Sequence, residues 1–410
     1  MKVLIKKINK VPVWMYVIVL ISRFSYAENF DAPPLFDKTA KSVEYIGGFR
    51  LPLSTKGISR ISFSQGVIAL RPSTNSFFMI GHAHHQAVAE FEIPQISTSK
   101  KISEWHVAKF KQAFSSIFSR AKSGNPQKVN RVTGMAEIEN QLVVNGMEYY
   151  DADVNVRDTT LVIRDPDNLA ESDIDGFYQL HGAAHAAGWI SKIPQAWQGP
   201  LNSKYLVGNA SNLAINSRLS IGPSAFTVDF DKALNNEEKS KLIATTDLMD
   251  FSIKHPIVPD QYNQSRRNDL WTELSSASYG FIIPGTSSYF VLGKSGGHNS
   301  GIGYKITQDN GRKCGGPCSL EALDSYNYYW LFDVSEFLAV KLGKKEPYQI
   351  KPYQYGFFDT SNSNPYISGS DYDAENNLLY VVFAKEDKTR SKFDAAPIIR
   401  VYKININKNN

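Results

Sequence analysis

The chain has 410 residues, 45 basic and 40 acidic, is 12% aromatic, and holds only two cysteines. Five of the basic residues (Lys2, Lys6, Lys7, Lys10 and Arg23) and no acid lie in the first 27 positions. The remainder is therefore close to neutral, with no global field or basic stripe to attract nucleic acid. There is no GxSxG elbow, phosphate loop, dinucleotide fingerprint or HExxH helix, so no organic cofactor is expected.

Residues 1–27 combine a basic start, the apolar core VPVWMYVIVLIS and the small residues Ser25 and Ala27. That pattern predicts a signal peptide cleaved after Ala27, and a secreted or periplasmic protein. No later stretch is apolar enough to span a bilayer as a helix. Residues 28–410 read as one domain, and the mature chain is expected to be a monomer.

Three segments repeat a turn containing Asn followed by a run of apolar strand formers. They are ALRPSTNSFFMIG at 69–81, GMAEIENQLVVNG at 134–146 and DYDAENNLLYVVF at 371–383. Weaker relatives are TLVIRD at 160–165, KYLVGN at 204–209, AFTVDFD at 225–231 and YGFIIPGTSSYFVLGKSG at 279–296. Repeats running from end to end predict an all-β protein, a β-propeller closed on itself. The length suggests seven blades of roughly 50–55 residues. Helical insertions are expected at 103–123, where Phe110, Phe114 and Phe118 recur every four residues, and at 235–251. YYWLFDVSEFLAV at 328–340 reads as a strand running into a short helix.

The residues that could carry chemistry fall at strand ends. His82, His84 and His85 follow the apolar run SFFMI. On a continuing strand, His82 and His84 would face one way and His85 the other. They are an acid–base site, part of a metal site, or polar side chains bonded to backbone. Tyr149 and Tyr150 end the second repeat as the histidines follow the first, so the repeat alignment brings the two groups together. Arg164 ends the next apolar strand. His181 and His185 stand four apart among small residues. Cys314 and Cys318 are spaced for a small disulfide loop or, with His298, for three ligands of a structural zinc. A fourth ligand would have to be Asp309, Asp324 or water.

The segments YIGGFRLP, SFFMIGHAHHQAVAEFEIP, GMEYYDA, SIGPSAF, YYWLFDVSEFLAVKLGKKEPYQIKPY and ISGSDYDAENNLLYVV resemble a group of exported bacterial β-propeller proteins. The order His, Tyr, Arg, Tyr resembles the propeller-type ulvan lyases, polysaccharide lyases that cleave by β-elimination. The resemblance implies an acidic, uronate-containing and sulfated polysaccharide as substrate. His84 (or His82 or His85) and Tyr149 (or Tyr150) would be the acid–base pair. Arg164 would neutralise the uronate carboxylate, Tyr205 would face substrate, and His298, Cys314 and Cys318 would hold zinc. His106 and Arg218 are further candidates for holding sugar or sulfate. The chemistry suits these residue types: an arginine fork binds a carboxylate bidentately and stabilises the enolate that develops on it. The alternative is a non-catalytic propeller that binds a glycan or an envelope protein.

Overall fold

The computed structural model describes residues 30–151, 153–209, 220–235, 241–362, 365–391 and 393–406. The signal-peptide segment and Arg218 lie outside them. Strand β1 (Val43–Arg50) begins the ring. Next come β2 (Ile68–Arg71), β3 (Ser76–Ile80), β4 (Val88–Glu92) and β5 (Lys109–Ser115), an antiparallel meander from the axis outward. A second sheet holds β6 (Arg131–Ile138), β7 (Gln141–Met147), β8 (Thr160–Ile163) and β9 (Ile174–Leu180). The third holds β10 (Ile190–Lys192), β11 (Tyr205–Val207) and β12 (Ala225–Val228). The short β13 (Leu242–Ile243) pairs back in parallel onto β9, and β14 (Thr245–Met249) completes the third sheet. The fourth holds β15 (Ser276–Ile282) and β16 (Ser288–Gly296), then, after a hairpin of β17 (Ile302–Tyr304) and β18 (Pro317–Ser319), β19 (Ser325–Asp333) and β20 (Gln354–Asn362). The fifth holds β21 (Tyr366–Asp373), β22 (Leu378–Asp387) and β23 (Ala396–Ile404), and its outer strand is β1.

These five sheets are the blades of a β-propeller, closed because the first strand of the chain pairs with the last. The innermost strands β2, β6, β10, β15 and β21 neighbour one another around the axis. Their approach is close: a Cβ on Gly134 would lie 2.0 Å from the Gly188 carbonyl oxygen, and one on Gly369 would lie 1.9 Å from that of Gly66. Only glycine fits at such contacts.

The three strongest sequence repeats are the inner hairpins of the first, second and fifth blades. Each turns through a left-handed Asn: Asn75, Asn140 and Asn377 have φ of 48°, 59° and 55°. Asn adopts this conformation more readily than most residues.

Two expectations are corrected. The blades number five, not seven, because long links such as 250–275 and 297–324 occupy chain that a fixed repeat length assigns to strands. The segment 103–123 is not helical but contains β5 between two 3-10 turns. Phe110 and Phe114 are four apart, an even spacing that also places them on one face of a strand. Both belong to one packed aromatic group with Phe91. From the 235–251 segment, residues 236–240 lie outside the described residues, and the rest includes β13 and β14. The short helices are α1 (Gln195–Leu201), α2 (Asp231–Leu234) and α3 (Val334–Lys341). The last follows β19 as the sequence implies, capped by Asp333 accepting from the Ser335 amide at 2.8 Å.

Candidate functional site: the axial mouth

A propeller has two faces, and alternation of strand direction decides which residue reaches which. The turns between second and third strands, and the links between blades, lie on one end, here the upper face. The hairpins between first and second strands, and those between third and fourth, lie on the lower face. His82, His84 and His85 sit in the β3–β4 turn, on the upper face. Tyr149 and Tyr150 sit in the β7–β8 link, also on the upper face.

The histidines are not on a strand, since β3 ends at Ile80. They form a tight turn in which the His82 ring lies 5.2 Å from His84 and 5.1 Å from His85. The His82 Nδ1 accepts the His84 amide at 3.2 Å, and the His85 Nδ1 is 3.0 Å from Ser59 Oγ. Burial, helped by His85, His84 and Arg60, holds His82 below the ordinary histidine range, favouring neutral imidazole at neutral pH. Gln86 closes the turn. Its amide donates to Gln65 and to the Ala83 carbonyl, and its oxygen accepts the Val132 amide at 2.7 Å.

Gln65 and Val132 both line a cavity of about 230 Å³ at the upper mouth of the axis. All five blades meet there. Arg131, Thr133, Trp189, Ser276, Lys294 and Tyr366 are among the lining side chains, and none of the lining residues is acidic. Arg131 opens β6. Its guanidinium stands 5.0 Å from the centre of the Tyr149 ring and donates to the Asn130 carbonyl at 2.7 Å. Its Nε is buried without a hydrogen-bond partner. Across the mouth, the Lys294 ammonium is 4.7 Å from the centre of the Tyr366 ring. Burial first, and then Lys385, pull Lys294 below the usual lysine value. Neither cation has an ion-pair partner among the described residues.

Arg164, Tyr205 and His106 are on the lower face, which corrects their assignment to one site with the histidines. One strand, β8, separates Arg164 from the Tyr149 link and carries the chain through the blade. Arg164 is fully committed there. It bonds Asp175 and Gln141 at 2.5 Å, the Leu234 and Ala233 carbonyls at 2.7 and 2.9 Å, and the Tyr178 hydroxyl at 3.3 Å. Tyr205 opens β11 and lines a separate lower-face cleft of about 580 Å³ with Asp229 and Asp231. The His106 Nδ1 is 3.0 Å from Ser97 Oγ and 2.9 Å from the Gln95 carbonyl.

The zinc assignment is corrected as well. Cys314 and Cys318 are joined in a disulfide, so neither offers a thiolate. His298 is buried against Tyr326 and Tyr328, with Nε2 2.7 Å from Ser295 Oγ. Among the described residues no group of three or more His, Cys, Asp or Glu is placed to hold a metal ion. His185 is in a 3-10 turn, and its Nδ1 is 2.7 Å from Asp250.

Sequence reasoning missed Arg131, Lys294 and Tyr366. A signal was present for two of them: the residues just upstream of the repeats open the inner strands and therefore ring the mouth. Lys294 lies inside a second strand and carries no such mark.

No protein-family model matches the chain, and no curated protein is significantly similar to it. Among solved structures, two of Sqt1 from Chaetomium thermophilum are similar at 10% sequence identity and a TM-score of 0.29. They cover 87% and 86% of this chain, and 74% of each Sqt1 chain. At that level the likeness bears on neither mechanism nor ligand. No helix among the described residues is long and apolar enough to cross a membrane.

Proposed function

We propose that the protein is an exported propeller that takes an acidic sugar of a polysaccharide at its axial mouth and cleaves the chain there by β-elimination. The observation that carries this reading is Arg131: a guanidinium with a buried, unpartnered Nε, in a cavity without acidic side chains, beneath Tyr149. Arg131 thus takes the carboxylate-neutralising role that the sequence reading gave to Arg164. A buried donor without a partner is costly, and a uronate carboxylate would satisfy this one.

In the elimination a base removes the C5 proton and its electron pair forms the C4–C5 double bond. The C4–O bond breaks, and the leaving oxygen takes a proton from an acid. Arg131 stabilises the charge developing on the carboxylate. The histidine turn, with His82 held neutral, and Tyr149 supply the base and the acid from the same face. Incubation with uronic polysaccharides, ulvan first, is expected to raise the ultraviolet absorbance of unsaturated uronate. Arg131→Gln and Tyr149→Phe are each expected to abolish the rise, and Arg164→Lys to leave it.

A specific observation favours a second reading, a non-catalytic glycan-binding propeller: the histidines spend ring nitrogens on each other's backbone and on Ser59. That reading gains if no absorbance rise occurs with any uronic polymer while Arg131-dependent binding is measured.

A further inference from the structure

The wall of the mouth facing Arg131 has a composition that one carboxylate does not explain. Lys294 stands on β16 in register with Ser276, and Lys385 lies near the end of β22. Their ammonium groups approach one aromatic ring, that of Tyr366, at 4.7 and 5.8 Å from its centre. Lys385 is exposed at the rim, whereas Lys294 is half-buried in the cavity lining, where a ring face alone does not replace the water that its ammonium gives up. The two like charges also repel. Hydroxyls of Ser276, Ser278 and Ser368 line the same cavity, and no carboxylate does. Buried cations are ordinarily paired. Among the described residues no carboxylate pairs with Lys294, and an oxyanion from outside would supply the partner.

We propose that Lys294, backed by Lys385 and the serine hydroxyls, forms a second anion subsite. Its ligand is an oxyanion substituent on the same sugar whose carboxylate reaches Arg131. The inference rests on the acidic-sugar reading of the mouth and narrows it to a doubly anionic sugar. The cavity, at about 230 Å³, is smaller than the roughly 300 Å³ at which pockets for drug-sized ligands begin, so it admits a single ring. The ring enters along the axis from the upper face.

The test is calorimetric titration of the wild-type protein, Lys294→Met and Arg131→Gln with three probes: glucuronate, glucose 3-sulfate and inorganic sulfate. Lys294→Met is expected to weaken glucose 3-sulfate at least tenfold and to leave glucuronate within about twofold. Arg131→Gln is expected to do the reverse. Equal binding of glucose 3-sulfate by Lys294→Met and wild type would overturn the subsite. Inorganic sulfate binding as tightly as glucose 3-sulfate would overturn its assignment to a sugar. Absence of glucuronate binding in every form, with Lys294-dependent sulfate binding retained, would instead sink the Arg131 reading and leave the Lys294 subsite standing. Thermal melting guards against misfolding. Lys294→Met removes a desolvated charge and is expected to melt no lower than wild type, and glucose 3-sulfate should raise the melting temperature of wild type and Arg131→Gln but not of Lys294→Met. Lys294→Met melting lower yet still stabilised by the sulfated sugar also overturns the proposal.

Discussion

The two faces of the propeller use arginine in opposite ways. On the lower face Arg164 is held by Asp175, Gln141, Tyr178 and two carbonyls, and Arg71 reaches Glu90, Glu137 and Asp167. On the upper face Arg131 has an aromatic ring and one carbonyl, and Lys294 has an aromatic ring alone. These lower-face cations have carboxylate partners within the fold, although Arg71 Nε, like Arg131 Nε, is buried without a hydrogen bond; the carboxylates are what separate the two faces. Those at the upper mouth are left with unmet bonding capacity, as a binding surface requires. A strand-end arginine is therefore not diagnostic of function; its partners are.

Replacing Arg164 is the strongest challenge to this contrast. Burial pushes Asp175 up, but bonds from Lys122 and Arg164 outweigh it and hold the carboxyl below its usual range. Removing the guanidinium leaves one carboxylate oxygen of Asp175 and two carbonyls without their donor. Breaking a buried pair costs about 3–5 kcal/mol, and the partial exposure here with Lys122 still present brings the expectation to about 2–4 kcal/mol. Urea unfolding of Arg164→Ala measures it, and ligand binding at the upper face should not change while the variant is folded. Arg131→Gln should show the inverse, a stability change within about 1 kcal/mol and loss of uronate binding. If Arg164→Ala loses binding instead, the division between the faces fails.

The contrast was within reach of the sequence, and the reason it was misread is geometric. The inner hairpins are legible because each needs a left-handed Asn at its turn and a continuous apolar run after it. Tyr149 and Arg164 are separated by one short strand, TLVI, and one strand always carries the chain to the opposite face. Reading both as strand-end residues ignored that alternation. Blade number was less legible, because loops such as 250–275 have no period. Spacing left Cys314 and Cys318 open to a disulfide or to zinc, and the fold shows the bridge, whereas the surroundings of Lys294 depend on contacts between two blades.

The upper face also contains a buried histidine that serves stability rather than binding, and acid separates the two roles. Burial pulls His298 down to about 4, although Asp324 and Asp269 oppose it. An unfolded histidine titrates near 6.5. Between about pH 6.5 and 4 the unfolded chain thus holds the extra proton, and stability falls with acid by roughly 3 kcal/mol. Half-buried Asp371 acts in the opposite sense. Burial pushes it up to about 6, against bonds from the Leu70 amide, the Tyr279 hydroxyl and the Tyr372 amide. The folded state then holds the proton between about pH 4 and 6, and stability falls as pH rises. The two slopes oppose each other in the wild type. His298→Gln removes one of them, so the wild-type-minus-variant stability should fall from pH 6.5 to 4. Denaturant midpoints across that range measure it, and parallel profiles would show that His298 is not held neutral by the fold.

The smallest effect is expected at the disulfide, where the comparison lies within the upper face itself, between a blade and a projection from it. Strands β17 and β18 pair only with each other, and the Cys314–Cys318 bridge closes a loop across a separation of four residues. Loop-closure entropy for so short a loop limits the gain to roughly 2 kcal/mol. That gain is local, because the hairpin can open while the β16–β19 ladder beneath it stays intact. Replacing both cysteines by serine should therefore move the global melting temperature by less than about 2 °C. Hydrogen exchange of the 303–318 amides should accelerate at least about tenfold, by local opening. A large fall in melting temperature would instead place the hairpin inside the cooperative unit of the fourth blade, so that the projection and the β16–β19 ladder open together.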